Sequence, residues 1–319
     1  MFSAERLSRT PPHHSFRRLL RVELAAALAQ RVVVLDGGMS TALELAGHDL
    51  SDELWSARLL LSTPDAVRAA HLAFFQAGAE VAITASYQAS FAGFARRGIS
   101  SRETGRLLRS SVELARSAAS DVDGRRWVAA SVGPYGAVLA DGSEYRGRYG
   151  LSRQQLAEFH RPRIEELCAA DPDVLAVETV PDVDEAVAVL DVVRGSGVPL
   201  WLSYSVRGGL TCAGQSLEEA FSVVSGVDEV IAVGVNCCAP ADVAEAVAVA
   251  RRVTGLPVVV YPNSGEEWDA DARAWTGDGT GFAASAGEWT EAGARLVGGC
   301  CRTGPSAISV LAGSLAARA

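Results

Sequence analysis

Lysine is absent from this chain, and all 29 basic residues are arginine. That absence removes several chemistries at once. A Schiff-base aldolase, a pyridoxal-phosphate enzyme anchored through lysine and a P-loop whose lysine reaches a phosphate cannot be written in this alphabet. No basic stripe is present either. The net charge of −9 argues against nucleic acid as a partner. Nor does any uncharged apolar run reach the roughly 18 residues that suggest a membrane span. Residues 1–30 lack the clean apolar stretch of a secretory signal: Arg6, Arg9, Arg17, Arg18 and Arg21 precede a short patch broken by Glu23 and Gln30. A soluble, cytoplasmic protein is expected. Its chemistry must rest on carboxylates, hydroxyls, five histidines and six cysteines.

With 319 residues, 49% of them hydrophobic and 21% charged, the chain can bury a sizeable core. Residues 1–16, with Pro11, Pro12, His13 and His14, read as a flexible extension; 17–319 read as one domain. Apolar runs suited to buried parallel strands fall at 32–35, 80–84, 127–132, 173–177, 199–205, 230–235, 257–261 and 294–298. Helical stretches separate them: Pro64 to about Ala77, then Glu103–Ala119, Ser152–Cys168, Pro181–Val193, Leu217–Ser225, Pro240–Val253 and Pro305–Ala316. The crossover at 267–290, with Gly277, Gly279, Gly281 and Gly287, reads as an irregular helical region. This alternation predicts an α/β fold, a (β/α)₈ TIM barrel. The rival, an open doubly wound sheet, lacks its G-x-G-x-x-G after the first strand.

In such a barrel, chemistry belongs where the strands end at their C-termini. There the sequence places Asp36-Gly37-Gly38, Ser86-Tyr87-Gln88, Gly133-Pro134-Tyr135, Glu178-Thr179, Tyr204-Ser205, Asn236-Cys237-Cys238, Tyr261-Pro262-Asn263 and Gly298-Gly299-Cys300-Cys301. Polar and thiol groups gather at one rim. Free thiols are expected, because vicinal cysteines are awkward for ordinary disulfides and the chain reads as intracellular. Cys237, Cys300 and Cys301 can meet around one metal, since zinc accepts three thiolates and keeps a fourth position open. Buried cysteines are also common as small hydrophobes, and the usual C-x-x-C spacing is missing. Spacing alone leaves both readings open.

Eight segments carry a more specific likeness. Leu35-Asp-Gly-Gly-Met39, Asp52-Glu-Leu-Trp-Ser56, Thr84-Ala-Ser-Tyr-Gln-Ala89 and Gly133-Pro-Tyr-Gly136 resemble the homocysteine S-methyltransferase family. So do Ala140-Asp-Gly-Ser-Glu-Tyr145, Val235-Asn-Cys237, Val260-Tyr-Pro-Asn-Ser-Gly-Glu266 and Gly298-Gly-Cys-Cys-Arg-Thr303. The likeness runs over about residues 30–312, in order and in spacing. It is strongest to the single-domain branch using S-methylmethionine or S-adenosylmethionine. It implies a (β/α)₈ barrel with one Zn²⁺ per chain on Cys237, Cys300 and Cys301, and leaves Cys238 outside the ligand positions.

The resemblance also implies how substrates are held. Asp36 and Glu178 accept the α-ammonium of homocysteine, and the Gly37-Gly38 turn receives its carboxylate. Trp55, Tyr87, Tyr135 and Tyr261 are candidate faces for a sulfonium cation, worth ~0.5–2 kcal/mol per ring. Asn236 and Asn263 are expected to fix loops near the metal. Partners are therefore small molecules, with no nucleic acid or membrane, and the chain is expected as a monomer or weak homo-oligomer. Betaine is the alternative donor, although betaine-using relatives carry a longer C-terminal arm. A zinc-binding or thiol-redox barrel without transferase activity is the alternative of a different class.

Overall fold

Runs such as Trp127–Val132 and Val174–Val180 are buried at every position, so these strands must be covered on both faces. That is the condition of a parallel sheet with helices outside and side chains inside. A computed structural model describes residues 23–50, 55–269, 274–276 and 281–318. The expected extension at 1–16 lies outside the described residues.

Eight strands form one parallel sheet: β1 (Val33–Val34), β2 (Val81–Ile83), β3 (Trp127–Val132), β4 (Val174–Val180), β5 (Leu200–Tyr204), β6 (Val230–Asn236), β7 (Val258–Tyr261) and β8 (Ala294–Val297). Their spatial order follows the chain from β2 to β8, with β1 beside β8. The ring closes between β1 and β2 through a parallel bridge of Leu35 to Val81. The Asp36 N–H donates to Val81 O at 3.0 Å, and the Glu80 N–H to Val34 O at 2.8 Å. All eight predicted strands are present, and the fold is a (β/α)₈ barrel.

The interior is filled by alternate residues of the strands, including Val33, Leu35, Trp127, Ala129, Trp201, Val259 and Leu296. Leu24 and Leu28, four apart on a helix at residues 23–30, belong to the same cluster. Outside the sheet lie α1 (Met39–Leu45), α2 (Trp55–Ser62), α3 (Pro64–Gln76), α4 (Phe91–Ala95), α5 (Ser101–Ala119), α6 (Arg153–Ala169), α7 (Val183–Val193), α8 (Leu217–Ser222), α9 (Val243–Thr254), α10 (Gly281–Ala292) and α11 (Pro305–Ala316). Caps explain several starts. Pro64 opens α3, where its missing N–H has no partner to lose. Ser152 and Gln155 form a reciprocal capping box on α6.

One crossover differs from the expectation. Within the segment read as helical at 267–290, Glu267–Asp269 and Ala274–Thr276 are antiparallel paired strands, and a helix spans Gly281–Ala292. Trp268 pairs with Trp275, and aromatic residues with a threonine suit paired strands better than a glycine-interrupted helix. The short helices α1, α2 and α4 add turns that the sequence pattern did not reveal.

Candidate functional site

The chain leaves β6 through Cys237, whose φ of 51° is left-handed. That turn separates two adjacent thiols. Cys237 lines the cavity at the barrel mouth, whereas Cys238 is buried in the core between sheet and helices. Burial pushes the Cys238 thiol well up, so it stays protonated. Two strands further round, the loop after β8 is tied to its neighbours. The Cys300 N–H donates to Pro262 O at 2.7 Å, and the Cys301 N–H to Asn263 Oδ1 at 3.3 Å. Asn263 thus fixes this loop, as expected.

Gly37 and Gly38 press against that loop from the β1 side. A Cβ on Gly37 would lie 2.3 Å from Thr303 O, and one on Gly38 2.5 Å from Cys300 O. Only glycine lets the two turns meet.

The sulfurs of Cys237, Cys300 and Cys301 all lie within 4.8 Å of one another. Cys237 Sγ and Cys301 Sγ are 3.6 Å apart. A disulfide needs about 2.05 Å, while two sulfurs each ~2.3 Å from a tetrahedral ion sit roughly 3.8 Å apart. The donor set therefore fits a metal. Hydrogen bonds from Cys237 and Cys300 hold the Cys301 thiol well below its usual range, while the same shared bonds push Cys300 well above it. The Tyr145 hydroxyl lies 3.0 Å from Cys237 Sγ. Its proximity to Cys237 and its burial push that phenol far above its usual range, so it stays protonated beside the sulfur.

The thiols open into a cavity of about 280 Å³. Its charged lining is Glu44, Glu144, Glu178 and Arg302. Arg302 is itself paired with Glu266, at 3.1 and 3.2 Å. Glu178 accepts from the Ser131 hydroxyl, yet burial lifts its carboxyl to about 7 against that bond. Burial likewise raises Glu144, and its Oε2 has no hydrogen-bond partner among the described residues.

Of the predicted residues, Gly37, Gly38, Tyr87, Glu178, Tyr261 and the three thiols meet at this cavity. Asp36 sits just behind the lining, 1% exposed, with Oδ2 accepting the Ile83 N–H at 2.8 Å and Oδ1 unpartnered. Burial raises its carboxyl well above the usual range. Asn236 is not in the lining. Its Oδ1 accepts from the Thr179 N–H and the Ser203 hydroxyl, both at 2.7 Å, and its Nδ2 donates to the Thr179 hydroxyl at 2.7 Å. It therefore braces Thr179 (φ 58°), the residue after Glu178. Tyr135 also lies elsewhere, packed on Tyr149 and Phe159 at centroid distances of 5.2 and 4.9 Å. Trp55 begins α2, but its side chain lies outside the described residues.

Sequence reasoning missed Glu144, Tyr145 and Arg163 as site residues. The first two stand within the quoted Ala140–Tyr145 segment, but the pattern did not show that this loop folds back over the thiols. Arg163, fully buried on α6, donates to Gly133 O at 3.0 Å and Tyr87 O at 2.9 Å, pinning the ends of β3 and β2. Burial lowers its guanidinium to about 10.

A homocysteine S-methyltransferase profile matches residues 33–315. The chain belongs to the homocysteine S-methyltransferase family. It is 42% identical to homocysteine S-methyltransferase YbgG of Bacillus subtilis, over 88% of this chain and 93% of that one. To the homocysteine S-methyltransferase of Escherichia coli it is 43% identical, over 88% and 94%. The fold agrees with the solved E. coli homocysteine methyltransferase MmuM in its metallated form. That match has a TM-score of 0.81 and 41% identity over 91% of this chain and 97% of that one. The family profile thus runs from β1 into α11 and spans every strand end at the mouth described above.

Proposed function

We propose that this chain transfers a methyl group from a sulfonium donor, S-methylmethionine or S-adenosylmethionine, to the thiol of L-homocysteine, giving methionine. The observation that carries the reading is the three-thiol cluster at the cavity floor. Cys237, Cys300 and Cys301 would hold one zinc ion per chain. When bound, that metal supplies a deprotonated homocysteine sulfur at neutral pH, where a free thiol of pKa ~8.5 is mostly protonated.

The remaining work belongs to the chain. Asp36 Oδ1 and Glu178 accept hydrogen bonds from the α-ammonium of homocysteine. The Gly38 N–H already donates to Thr303 O at 2.9 Å, so the Gly37 N–H is the one that takes the carboxylate. Asn236 acts through Thr179, keeping the end of β4 and hence Glu178 in place. The rings of Tyr87 and Tyr261, which line the cavity, face the donor cation. Holding acceptor and donor in line is the main contribution of such a site. The methyl group leaves without its bonding pair, so the sulfonium becomes a neutral thioether and the acceptor thiolate becomes methionine.

A donor panel tests this. Homocysteine is incubated with S-methylmethionine, S-adenosylmethionine or betaine, with and without a chelator, and methionine is measured. Turnover with a sulfonium donor, lost on chelation, restored by zinc and matched by one zinc per chain in metal analysis, is expected. Zinc-replete protein that makes no methionine from either sulfonium would sink the reading.

A further inference from the structure

The homocysteine reading leaves one buried acid of the cavity without a task; Glu44, the other, is exposed. Glu144 is 5% exposed and lines the mouth, yet its Oε2 has no partner among the described residues. Burying an unpaired carboxylate oxygen is unfavourable, so such a group persists where a ligand completes it. The neighbouring Arg146 does not serve; it turns to the Ser143 hydroxyl at 2.8 Å and to Asp141 at 3.4 Å. Arg302, the basic residue of the lining, pairs with Glu266. The backbone of Glu144 is fixed. Its carbonyl accepts from the Ser205 hydroxyl at 3.4 Å, and Gly136 leaves no room beside its N–H, where an added Cβ would lie 2.5 Å away.

Position identifies the ligand charge. Glu144 lines the wall of the same cavity as the three thiols, and Tyr145, the next residue, reaches Cys237 Sγ. In-line methyl transfer places the donor sulfur one methyl group away from the acceptor sulfur held at that cluster. The cationic centre of the donor must therefore lie next to this wall. We propose that Glu144 is a specificity-determining residue whose carboxylate recognises the positive charge of the methyl donor. The inference rests on the sulfonium reading above.

A kinetic consequence follows from the charge balance. The donor sulfur is positive before transfer and neutral after it, so attraction to Glu144 is greatest in the ground state and fades as the methyl moves. Removing the charge should raise the donor KM and spare kcat.

The test uses zinc-loaded wild type, Glu144→Gln and Glu144→Asp, with zinc content and melting curves checked for each. Three quantities are measured: the KM of S-methylmethionine, the KM of homocysteine, and the Ki of the uncharged donor isostere 2-amino-5-methylhexanoate, in which CH replaces the sulfonium sulfur. In E144Q the donor KM should rise roughly 10- to 100-fold, as for a lost charge-assisted contact. The isostere Ki and the homocysteine KM should stay within about twofold. The preference for charge thus collapses in E144Q and is intermediate in E144D. A rise in homocysteine KM instead, or an unchanged preference in E144Q, overturns the assignment. Should E144Q fail to melt cooperatively, an E144D preference equal to wild type overturns it. Wild type that makes no methionine from a sulfonium removes the underlying reading, and this inference with it. An active wild type with an unchanged preference removes only the role of Glu144.

Discussion

Cys237 and Cys238 are neighbours of one chemical type with opposite surroundings, and only the left-handed turn at Cys237 separates them. Substituting Cys237, Cys300 or Cys301 by serine should abolish stoichiometric metal and lower methyl transfer at least about 100-fold, beyond the loss seen for supporting partners alone. Cys238→Ser should keep the metal and lose ~1–3 kcal/mol of stability, because a hydroxyl replaces a thiol in an apolar site. Metal analysis and denaturant melts on both variants check this pair. His71, on α3, is fully buried, and neither ring nitrogen has a hydrogen-bond partner among the described residues. Burial lowers its pKa from 6.5 to about 3, so the folded protein holds it neutral. The unfolded chain binds the proton more readily. Stability is therefore complete above pH ~6.5 and falls as pH drops towards 3, by up to ~1.4 kcal/mol per pH unit. His71→Leu should flatten that acid limb, seen as a smaller gap between melting temperatures at pH 5 and pH 8.

Elements place these residues, and the contact between the β1 turn and the β8 loop is the tightest case. Gly38→Ala would drive a methyl into Cys300 O. The loop that carries Cys300 and Cys301 must then shift. A 10- to 100-fold weaker metal affinity is expected, with a loss of only ~1–3 kcal/mol in global stability; a competition titration with a chelator dye measures it. At this scale the sequence was most legible where burial is two-sided. Strands such as β3 and β4 read as unbroken apolar runs, and Glu178 and Thr179 at the end of β4 line the cavity, whereas Tyr135 beyond β3 does not. It was least legible where a loop travels. Tyr145 reaches Cys237 from beyond β3, and Arg163 reaches Gly133 and Tyr87 from the middle of α6. Neither contact leaves a local pattern. Asn236 shows the converse limit: its position at the end of β6 was right, but spacing could not tell a cavity-facing amide from one that braces Thr179. The paired strands Glu267–Asp269 and Ala274–Thr276 were lost because a few strand residues followed by glycines look like a broken helix.

Across the whole molecule, the thiols join the ends of β6 and β8 with β7 between them. A bound ion would tie together loops far apart in the chain. Metal at ~1,000 times its dissociation constant stabilises the native state by ~4 kcal/mol, provided the unfolded chain does not compete for it. Chelator-stripped protein should therefore melt several degrees lower and recover on adding zinc, a shift readable by calorimetry. The surface carries the net charge of −9 with arginine as its sole basic side chain. No helix among the described residues is long and apolar enough to cross a membrane.

Three lining residues other than glycine, Thr179, Cys237 and Arg302, have left-handed backbones, with φ of 58°, 51° and 65°. Such conformations are unfavourable for residues with a Cβ, by ~1–3 kcal/mol each. The mouth of this barrel is thus held against the preference of its own backbone, and a sequence selected for stability alone would drift away from it. Cys237→Gly should show the conflict directly. Without its sulfur it has lost one of the metal ligands, yet it should outlast Cys237→Ala in a thermal melt, because glycine adopts that turn freely.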